Sequence, residues 1–571
     1  MEKYLENYQR WLNSSKLTTE EKAELEAIKN DDNEIKSRFI SNLSFGTAGL
    51  RGTMKLGTNA MNLYTVAQAT QGFAALISKS GRNNDGVAIA YDCRNNSELF
   101  AKVAAEVLAA SDIKVYIFDN LRPTPELSFA LRYLKCVAGI NITASHNPKE
   151  YNGYKAYWED GAQLPPEHAE IVSREIENTD IFEDVRRTDF DSAVKQGKIK
   201  IIGEEIDKAY LCEVFKQTVN PDAVRNAADN LKIVYTPLHG AGYKLVPEIL
   251  EMTGLKHLYR VEEQFKIDGN FPTVKKPNPE YEEVFTLGIK LADSVGSDLV
   301  IATDPDADRV GVMARCKDST FKTITGNQMG ALLLDYIITA YEETGTMPSE
   351  PYAIKTIVST ELVSKICEAH GIRLYNVLTG FKFIGEVIKK HEEEGRGTFL
   401  FGFEESYGYL KGTYARDKDA VVASMLICEM TAYYKLKNMT LIDALDSLYE
   451  KYGYCSESNI EIYMEGLDGP AKIAGIIDSL RNSIPAVLGD AKVTVFGDYK
   501  AGEFTELETG RKYSTGLPKS NVLSFKLENG DVILVRPSGT EPKIKYYFLV
   551  SGSDNADTER KISGYKKSLN V

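Results

Sequence analysis

Residues Asp298–Arg309 read DLVIATDPDADR, an apolar, β-branched run followed directly by a loop rich in aspartate. The composition of the run predicts a β-strand over Asp298–Ala302. Similar short runs alternate with longer amphipathic stretches through the first 450 residues, a rhythm typical of α/β proteins. Further strands are predicted at Val87–Tyr91, Lys114–Phe118, Val137–Ile142, Lys232–Tyr235, Tyr352–Val358 and Thr398–Phe401.

The two ends of the chain differ from this pattern. The first 35 residues are predicted to be helical, with Thr18 and Glu21 forming a capping box. After Tyr452 the pattern changes to a mainly antiparallel sheet with helices, an α+β domain, with strands predicted at Asn459–Met464, Lys492–Phe496, Val522–Leu527, Asp531–Val535 and Ile544–Val550. The expected domains are therefore residues 1–205, 206–318, 319–452 and 453–571.

Composition excludes several classes of protein. The chain has 571 residues, of which 43% are hydrophobic and 26% charged, so every part can form a packed core. It has no run of about 18 apolar residues and no signal-like N-terminus, so neither a transmembrane helix nor secretion is expected. The seven cysteines never form a Cys-x-x-Cys pair, which favours free thiols in a reducing cytoplasm. The net charge of −14 disfavours nucleic acid and anionic membranes as partners, so any anion site must be local.

Polar loops follow several predicted strands, where ligands bind in open α/β sheets. In Thr143–Pro148, Ser145 stands on a turn before Asn-Pro. It is a nucleophile candidate, although an ordinary turn explains the same residues. The Gly-x-Ser-x-Gly elbow of α/β hydrolases is absent. Lys155 can reach back as a cation or proton carrier. The other strand-end loops are Asp92–Arg94, Thr236–Gly240, Asp304–Asp306 and Ser359–Thr360.

Asp304, Asp306 and Asp308 are the clearest metal candidates. Three carboxylates at alternate positions repel one another unless a cation joins them. An EF-hand would need Gly and Glu where this chain has Arg309 and Arg315. Oxygen ligands with a position open to phosphate favour Mg²⁺ instead. A solvated acidic loop is the alternative.

Two more loops carry candidate binding groups. Gly402–Gly408 supplies Glu404 and Ser406, which are suitable hydrogen-bond partners for sugar hydroxyls. Lys418 follows nearby, flanked by two acidic residues; the alternative interpretation of that segment is a charged stretch on the surface. Arg536–Lys543 combines an arginine, two hydroxyls and flexible backbone N–H groups, a combination suited to a phosphate dianion. A plain turn explains its Pro, Ser and Gly but not the whole set.

These loops together resemble the signature loops of the α-D-phosphohexomutases, in the family's order and over nearly the whole chain. The finer details resemble the bacterial phosphoglucomutase branch, which is related to phosphopentomutases. The matching segments are Phe45–Gly52, Thr143–Pro148, Asp304–Arg309, Thr379–Lys382, Glu404–Ser406 and Arg536–Thr540. The resemblance implies an α/β fold of four domains, three similar α/β domains and a C-terminal α+β domain around a central cleft.

The resemblance also implies a mechanism. Ser145 would carry a phosphoryl group, and one of its oxygens would bind Mg²⁺ together with Asp304, Asp306 and Asp308. Glucose 1,6-bisphosphate would be the intermediate and activator. The implied catalytic residues are Arg51, Ser145, His146, Lys155, Arg309 and Lys418. The implied substrate-binding residues are Thr379, Gly380, Lys382, Glu404, Ser406, Arg536, Ser538, Gly539 and Thr540.

Lys418 is the preferred acid/base residue, because Phe381 stands where some relatives have a histidine and no histidine follows Ser406. The Glu-Glu-Ser form of the sugar loop favours glucose phosphates, with pentose and mannose phosphates as alternatives. A sugar-phosphate-binding protein without catalysis and a serine hydrolase using Ser145 and His146 are the other hypotheses. The expected partners are sugar phosphates, without nucleic acid or membrane, and the protein is expected to be a monomer or homodimer in the cytoplasm.

Overall fold

The computed structural model describes residues 2–46, 49–464, 468–538 and 543–571. The chain forms two compact units. Unit 1 contains residues 1–324, 385–394 and 408–438. Unit 2 contains residues 325–384, 395–407 and 439–571. In the described part of the chain, no helix has both the length and the apolar composition to cross a membrane.

The first part of unit 1 is built on a six-stranded sheet. Its elements are α1 (Lys3–Leu12), α2 (Thr19–Ala27), α3 (Asp32–Phe39), β1 (Leu50–Thr53), α4 (Leu63–Lys79), β2 (Val87–Tyr91), α5 (Ser97–Ala110), β3 (Val115–Phe118), α6 (Thr124–Leu134), β4 (Ala138–Ile142), β5 (Tyr151–Trp158), α7 (Pro166–Asn178), α8 (Phe190–Lys195) and β6 (Ile199–Ile202). The strand order is β1-β5-β4-β2-β3-β6. Strands β2, β3, β4 and β6 are parallel, while β5 runs antiparallel to β4 and β1.

The second part of unit 1 has a five-stranded sheet of order β11-β10-β9-β7-β8. Its elements are α9 (Glu204–Phe215), α10 (Pro221–Ala227), β7 (Lys232–Thr236), α11 (Gly242–Met252), β8 (His257–Arg260), α12 (Glu262–Phe265), a 3₁₀ helix (Glu282–Phe285), α13 (Thr286–Val295), β9 (Leu299–Thr303), β10 (Val310–Arg315) and β11 (Phe321–Ile324). Strands β7, β8 and β9 are parallel and β10 and β11 antiparallel. Val234, Val300 and Phe285 lie in the core beneath this sheet.

Residues 325–452 contribute to both units. Their elements are α14 (Gly326–Thr344), β12 (Pro351–Thr356), α15 (Leu362–Ala369), β13 (Arg373–Val377), α16 (Phe381–Glu394), β14 (Thr398–Glu404), β15 (Gly408–Leu410), α17 (Ala420–Leu436) and α18 (Leu441–Tyr452). In unit 2, β12 pairs in parallel with both β13 and β14. Helix α17 belongs to unit 1 and is buried along most of its length.

The last part of unit 2 is an antiparallel sheet with two helices. Its elements are β16 (Tyr454–Tyr463), α19 (Gly469–Asn482), β17 (Val487–Leu488), β18 (Ala491–Asp498), β19 (Glu503–Glu506), β20 (Lys512–Ser514), β21 (Leu523–Leu527), β22 (Val532–Pro537), β23 (Lys543–Gly552) and α20 (Asn555–Leu569). The order is β16-β23-β22-β21-β18-β19-β20, with β17 paired to β18. Phe525, Ile533 and Phe548 form part of its core.

The predicted architecture of α/β regions followed by an α+β region is confirmed, and β2 coincides with its predicted range. The capping box is also present, because Glu21 N donates to Thr18 Oγ1 and Thr18 N donates to a Glu21 carboxylate oxygen. The prediction of a strand through Val358 was wrong at its end: β12 stops at Thr356, and Ser359 N turns back to the Thr356 carbonyl. The seven cysteines are free thiols.

Candidate active site

Ser145 lies in the loop after β4 and is buried. Its φ is +51°, in the left-handed region that residues other than glycine rarely adopt. The backbone N–H donates to Thr143 Oγ1 at 2.8 Å, and the side-chain hydroxyl donates to Asp304 Oδ2 at 2.7 Å. The turn therefore directs the candidate nucleophile to the first aspartate of the second sheet.

The three aspartates follow β9 and are buried together. Each offers a carboxylate oxygen, and these oxygens lie within 4.8 Å of one another. Asp304 Oδ1 also accepts hydrogen bonds from the backbone N–H groups of Asp308 and Arg309. Asp306 Oδ1 and Asp308 Oδ1 are buried and accept no hydrogen bond from the described residues. Buried acceptors of this kind require a partner, and hard oxygen ligands fit Mg²⁺.

Two lysines lie beside the aspartates. Lys155 Nζ is 2.7 Å from Asp306 Oδ2 and 3.2 Å from Asp308 Oδ2, and Lys418 Nζ is 3.0 Å from Asp308 Oδ2. Burial lowers the pKa of Lys155, but Asp306 and Asp308 outweigh it, so the pKa is raised. Burial acts to raise the pKa of Asp308, but Lys155 and Lys418 outweigh it and hold the pKa well below its usual range. For Asp304, burial and the two other aspartates both raise the pKa well above its usual range.

Lys418 is placed by the start of α17. Asp419 caps this helix by accepting from the N–H groups of Val421 and Val422. Asp417 accepts a hydrogen bond from Tyr157 OH on β5 at 2.9 Å. Because both neighbours of Lys418 are fixed, its ammonium group is held over the aspartate cluster.

The other predicted residues of unit 1 are Arg51, His146 and Arg309, which lie in or next to the loops of Ser145 and the aspartates. Arg51, on β1, donates through Nη1 to Asn147 Oδ1 at 3.2 Å. Arg309 donates through Nη1 to Glu280 Oε1 at 2.8 Å. His146 Nδ1 lies 3.2 Å from Ser145 Oγ. Burial, then the positive charges of Arg309 and Arg51, lower the pKa of His146 well below its usual range, so its imidazole is neutral.

In unit 2, Glu404 and the segment Thr379–Gly380 lie side by side. Glu404 ends β14 and is buried, and its Oε1 accepts from Gly380 N at 2.8 Å. The Thr379 hydroxyl is buried without a hydrogen-bond partner in the described part of the chain. Lys382 Nζ lies 5.0 Å from the centre of the Phe383 ring, and Ser406 is half-buried on the loop after Glu404. This arrangement offers hydrogen-bonding groups to a polar ligand.

Arg536 and Ser538 lie at the end of β22, also in unit 2. Arg536 is opposite Lys545 on β23, and Ser538 N donates to Lys543 O at 2.7 Å. Burial and the charge of Glu404 raise the pKa of Glu405 to about 7, while Arg536 and Lys545 act in the opposite direction. The other two predicted phosphate-binding residues, Gly539 and Thr540, lie outside the described residues.

Thr124, at the start of α6, was not among the predicted site residues. Its hydroxyl donates to Asp306 Oδ2 at 2.6 Å and its N–H donates to Asp306 O at 2.8 Å. The hydroxyl in turn accepts from Asn141 Nδ2 at 2.7 Å. Its position shortly after β3 was the available signal, because polar residues at strand ends recur throughout this site.

The loop after β7 supports the aspartate loop from below. Ala241 N donates to Pro305 O at 2.8 Å. A Cβ added at Gly240 would lie 2.4 Å from Pro305 Cα, so a larger residue there would displace the loop. Thr236–Gly240 was predicted to be a strand-end loop, and the structure shows that it supports the aspartate loop.

The fold and the site have counterparts among known proteins. The domain profiles described as phosphoglucomutase/phosphomannomutase match four segments in order. Alpha/beta/alpha domain I matches residues 42–182, domain II 208–317, domain III 325–452, and the C-terminal domain 485–560. The chain belongs to the phosphoglucomutase/phosphomannomutase family.

Curated relatives share the greater part of its length. A phosphoglucomutase of Staphylococcus saprophyticus is 38% identical over 517 residues, covering 90% of this chain and 92% of the relative. A phosphoglucomutase of Staphylococcus aureus strain MRSA252 is 38% identical over 533 residues, covering 93% and 94%. Among solved structures, Paramecium parafusin, a phosphoglucomutase in open form, is 16% identical with a TM-score of 0.69, covering 93% of this chain and 96% of that one. This last likeness concerns the fold alone.

Proposed function

We propose that this protein is a phosphoglucomutase, which interconverts glucose 1-phosphate and glucose 6-phosphate through a phosphorylated Ser145 and a glucose 1,6-bisphosphate intermediate. The observation that carries the proposal is the 2.7 Å hydrogen bond from the Ser145 hydroxyl to Asp304, within a buried cluster of three aspartates. The curated relatives named phosphoglucomutase support glucose phosphates as substrates.

Asp304, Asp306 and Asp308, with an oxygen on Ser145, are the residues that would hold Mg²⁺. The bound ion would neutralise negative charge on the phosphoryl group during in-line transfer. Lys155 neutralises part of the charge on Asp306 and Asp308, to which it is salt-bridged. Arg51 and Arg309 supply further positive charge for the transferring group, and the neutral His146 accepts or donates a hydrogen bond at the Ser145 oxygen.

In the first half-reaction, a hydroxyl of the sugar phosphate attacks the phosphorus of phosphoserine. A bond from phosphorus to the sugar oxygen forms, and the bond to Ser145 Oγ breaks. Lys418 is the acid/base residue assigned to this step: as a neutral amine it would take the hydroxyl proton, and as the resulting ammonium group it would return that proton in the reverse transfer. In the second half-reaction, Ser145 Oγ attacks the other phosphate of the bisphosphate, which leaves the product sugar with a free hydroxyl.

The turn of the bisphosphate between the two steps requires recognition in both orientations. Glu404 and Ser406 are assigned to the sugar hydroxyls, and the segment Thr379–Lys382 to substrate contacts beside Glu404. The phosphate that does not react is assigned to the positively charged end of β22 and the residues after it. These are Arg536, Ser538, Gly539 and Thr540.

The proposal includes the domain boundaries, the compartment and the assembly. We assign the domains to residues 1–205, 206–318, 319–452 and 453–571, the compartment to the cytoplasm and the assembly to a monomer or homodimer. Sugar phosphates are the partners, with no role for nucleic acid or membranes. Comparing kcat/KM for glucose 1-phosphate, mannose 1-phosphate and ribose 1-phosphate tests the substrate. We expect the highest value for glucose 1-phosphate, whereas a phosphomannomutase would prefer mannose 1-phosphate and a phosphopentomutase ribose 1-phosphate.

The central experiment measures phosphate on Ser145. The purified, Mg²⁺-replete protein is incubated with glucose 1,6-bisphosphate, and its intact mass and peptide fragments are recorded. We expect one phosphate on Ser145, which excess glucose 6-phosphate removes. The Ser145→Ala variant is the matched control and should neither gain phosphate nor turn over substrate. Folded wild-type protein that never gains phosphate at Ser145 would refute the mechanism.

A further inference from the structure

We infer that Arg94 is a positioning residue, which holds the Ser145 loop in the conformation needed for phosphoryl transfer. The inference rests on the proposed function, since it concerns the loop that would carry phosphoserine. Arg94 belongs to the loop after β2, and its side chain is fully buried. Among the described residues, Arg94 contacts none of Asp304, Asp306, Asp308 and Lys155, so its role differs from theirs.

The Arg94 guanidinium binds four main-chain carbonyls of one loop. Its Nη2 donates to the carbonyl oxygens of Ser145 and Asn147. Its Nη1 donates to those of Pro148 and Tyr151, at 2.9 and 3.1 Å. The loop from Ser145 to the start of β5 is thereby wrapped around a single side chain.

Residues that precede Ser145 are connected to Arg94 through Asp92. Asp92 Oδ2 lies 3.3 Å from Arg94 Nε and accepts from Thr143 Oγ1 at 2.6 Å. Thr143 Oγ1 accepts from Ser145 N at 2.8 Å. Asp92 Oδ1 accepts from Ser97 Oγ at 2.8 Å, so the anchor is itself fixed by α5. Ser145 is therefore held through both its N–H and its carbonyl group.

This arrangement explains why an arginine is required. Ser145 has a positive φ, which the local sequence does not favour, so surrounding contacts must maintain it. A guanidinium presents several donors in one plane and can satisfy carbonyls that face it from different positions. Lysine has a single ammonium group and cannot span the four acceptors in the same way. Without Arg94, four carbonyls lose a donor and the loop can relax.

The expected consequence is a loss of rate without a loss of binding. Misplacing a reacting group by about 1 Å costs about a hundredfold in rate. We therefore expect Arg94→Ala to slow phosphorylation of Ser145 by glucose 1,6-bisphosphate about a hundredfold. The KM for sugar phosphate should stay close to wild type, because Arg94 contacts none of the residues assigned to the sugar. The affinity of the unphosphorylated protein for Mg²⁺ should also stay close to wild type, because Arg94 bonds to Ser145 only through its main-chain carbonyl and contacts none of Asp304, Asp306 and Asp308 in the described part of the chain.

The test compares Arg94→Ala, Arg94→Lys and Arg38→Ala. Arg38 is the matched control, a largely buried arginine of unit 1 that pairs with Glu24 and Glu34 near the N-terminus. Loading of Ser145 is followed by intact mass, and amide hydrogen exchange is measured on the peptide that spans residues 143–151 of the unphosphorylated proteins. We expect slow loading and faster exchange in both Arg94 variants only, with partial recovery of Arg94→Ala in added guanidinium ion.

The outcomes separate this inference from the proposed function. If wild-type protein never gains phosphate, the proposed function fails, and exchange in the 143–151 peptide alone decides the role of Arg94. If wild type gains phosphate and both Arg94 variants load at its rate with unchanged exchange, the inference is overturned. Should Arg94→Ala lose protection throughout the chain, Arg94→Lys decides the matter, and normal loading by that folded variant also overturns the inference.

Discussion

The candidate residues of unit 1 and those of unit 2 differ in how closely their charged side chains are joined to one another. In unit 1, Ser145, Lys155 and Lys418 are joined to the aspartates at distances of 2.7 to 3.2 Å. In unit 2, Glu404 accepts from Gly380 N, but the buried Thr379 hydroxyl has no hydrogen-bond partner among the described residues. Unit 1 therefore holds its charged candidate residues against one another before a ligand binds. Both units leave buried polar atoms without a hydrogen-bond partner among the described residues, Asp306 Oδ1 and Asp308 Oδ1 in unit 1 and the Thr379 hydroxyl in unit 2.

The acidic residues of the two units also differ in the charged groups beside them. Three aspartates in unit 1 have two lysines within salt-bridge distance of Asp306 and Asp308. In unit 2, Glu404 and Glu405 are adjacent, and the pKa of Glu405 is raised to about 7 by burial and by its neighbour. The aspartates of unit 1 are partly neutralised by lysines of the same chain, whereas the buried Glu404 and the half-buried Glu405 form an acidic pair suited to hydroxyl donors.

The largest expected effect tests the unit 1 side of this comparison. Asp306→Asn removes one of the clustered charges, and we expect affinity for Mg²⁺ or Mn²⁺ to fall more than about a hundredfold, measured by titration calorimetry. Glu404→Gln is the control and should bind metal like wild type. Equal losses in the two variants would mean that the metal does not belong to the aspartate loop.

A smaller loss is expected for Thr124→Val, which removes the hydroxyl that bonds to Asp306 Oδ2. Residues that orient metal ligands are worth about ten- to a hundredfold in affinity, so calorimetry should show a loss in this range. Thr124→Ser keeps the hydroxyl and should stay near wild type. If valine and serine behave alike, the contact does not orient Asp306.

The contact of Thr124 with Asp306 is one that the sequence alone did not predict. Ser145 and the aspartates could be predicted because each motif is contiguous and follows a strand. Thr124 lies 182 residues from Asp306 and Arg94 51 residues from Ser145, so their contacts exist only once the sheets are formed. Both residues follow a strand, and Arg94 belongs to the predicted strand-end loop Asp92–Arg94, but the local sequence does not indicate which residue either side chain contacts.

The fold was predictable to a similar degree. The buried parallel strands β2, β4 and β9 have continuous apolar sequences and were predicted to within one residue at each end. The strand predicted at Thr398–Phe401 extends three residues further, to Glu404. The antiparallel strands β5, β10 and β11 were missed. Strand β5 contains Asn152, Gly153 and Lys155, which interrupt the apolar pattern. Of these, Lys155 contacts the aspartates, so a candidate site residue is one of those that make the strand hard to recognise.

Recognition in unit 2 is expected to be worth less per residue than the metal site. In Glu404→Gln the amide oxygen can still accept from Gly380 N, but the charge on the sugar side is lost. Hydrogen bonds to charged groups exceed neutral ones by about 1 kcal/mol, so kcat/KM for glucose 1-phosphate should fall about fivefold. Steady-state kinetics measure this, and phosphorylation of Ser145 by bisphosphate provides a second readout. An unchanged kcat/KM would remove Glu404 from substrate recognition.

The smallest effect concerns the half-buried Glu405, to which Thr356 Oγ1 donates at 3.3 Å. Burial and Glu404 raise its pKa from 4.5 to about 7, so the folded protein keeps this proton at a pH where the unfolded chain has released it. Its contribution to stability is therefore present below about pH 4.5 and is lost as pH rises through about 7.

Glu405→Gln should remove that part of the pH dependence. We expect the urea midpoint of wild type to fall, relative to that of the variant, between about pH 5 and pH 8. Glu457, whose pKa burial also raises to about 7, contributes equally to both proteins and cancels in the difference. Parallel midpoints over this range would show that Glu405 is charged in the folded protein. The acidic pair of unit 2 would then resemble Asp306 and Asp308, whose pKa values Lys155 lowers against the effect of burial, more closely than the contrast between the units implies.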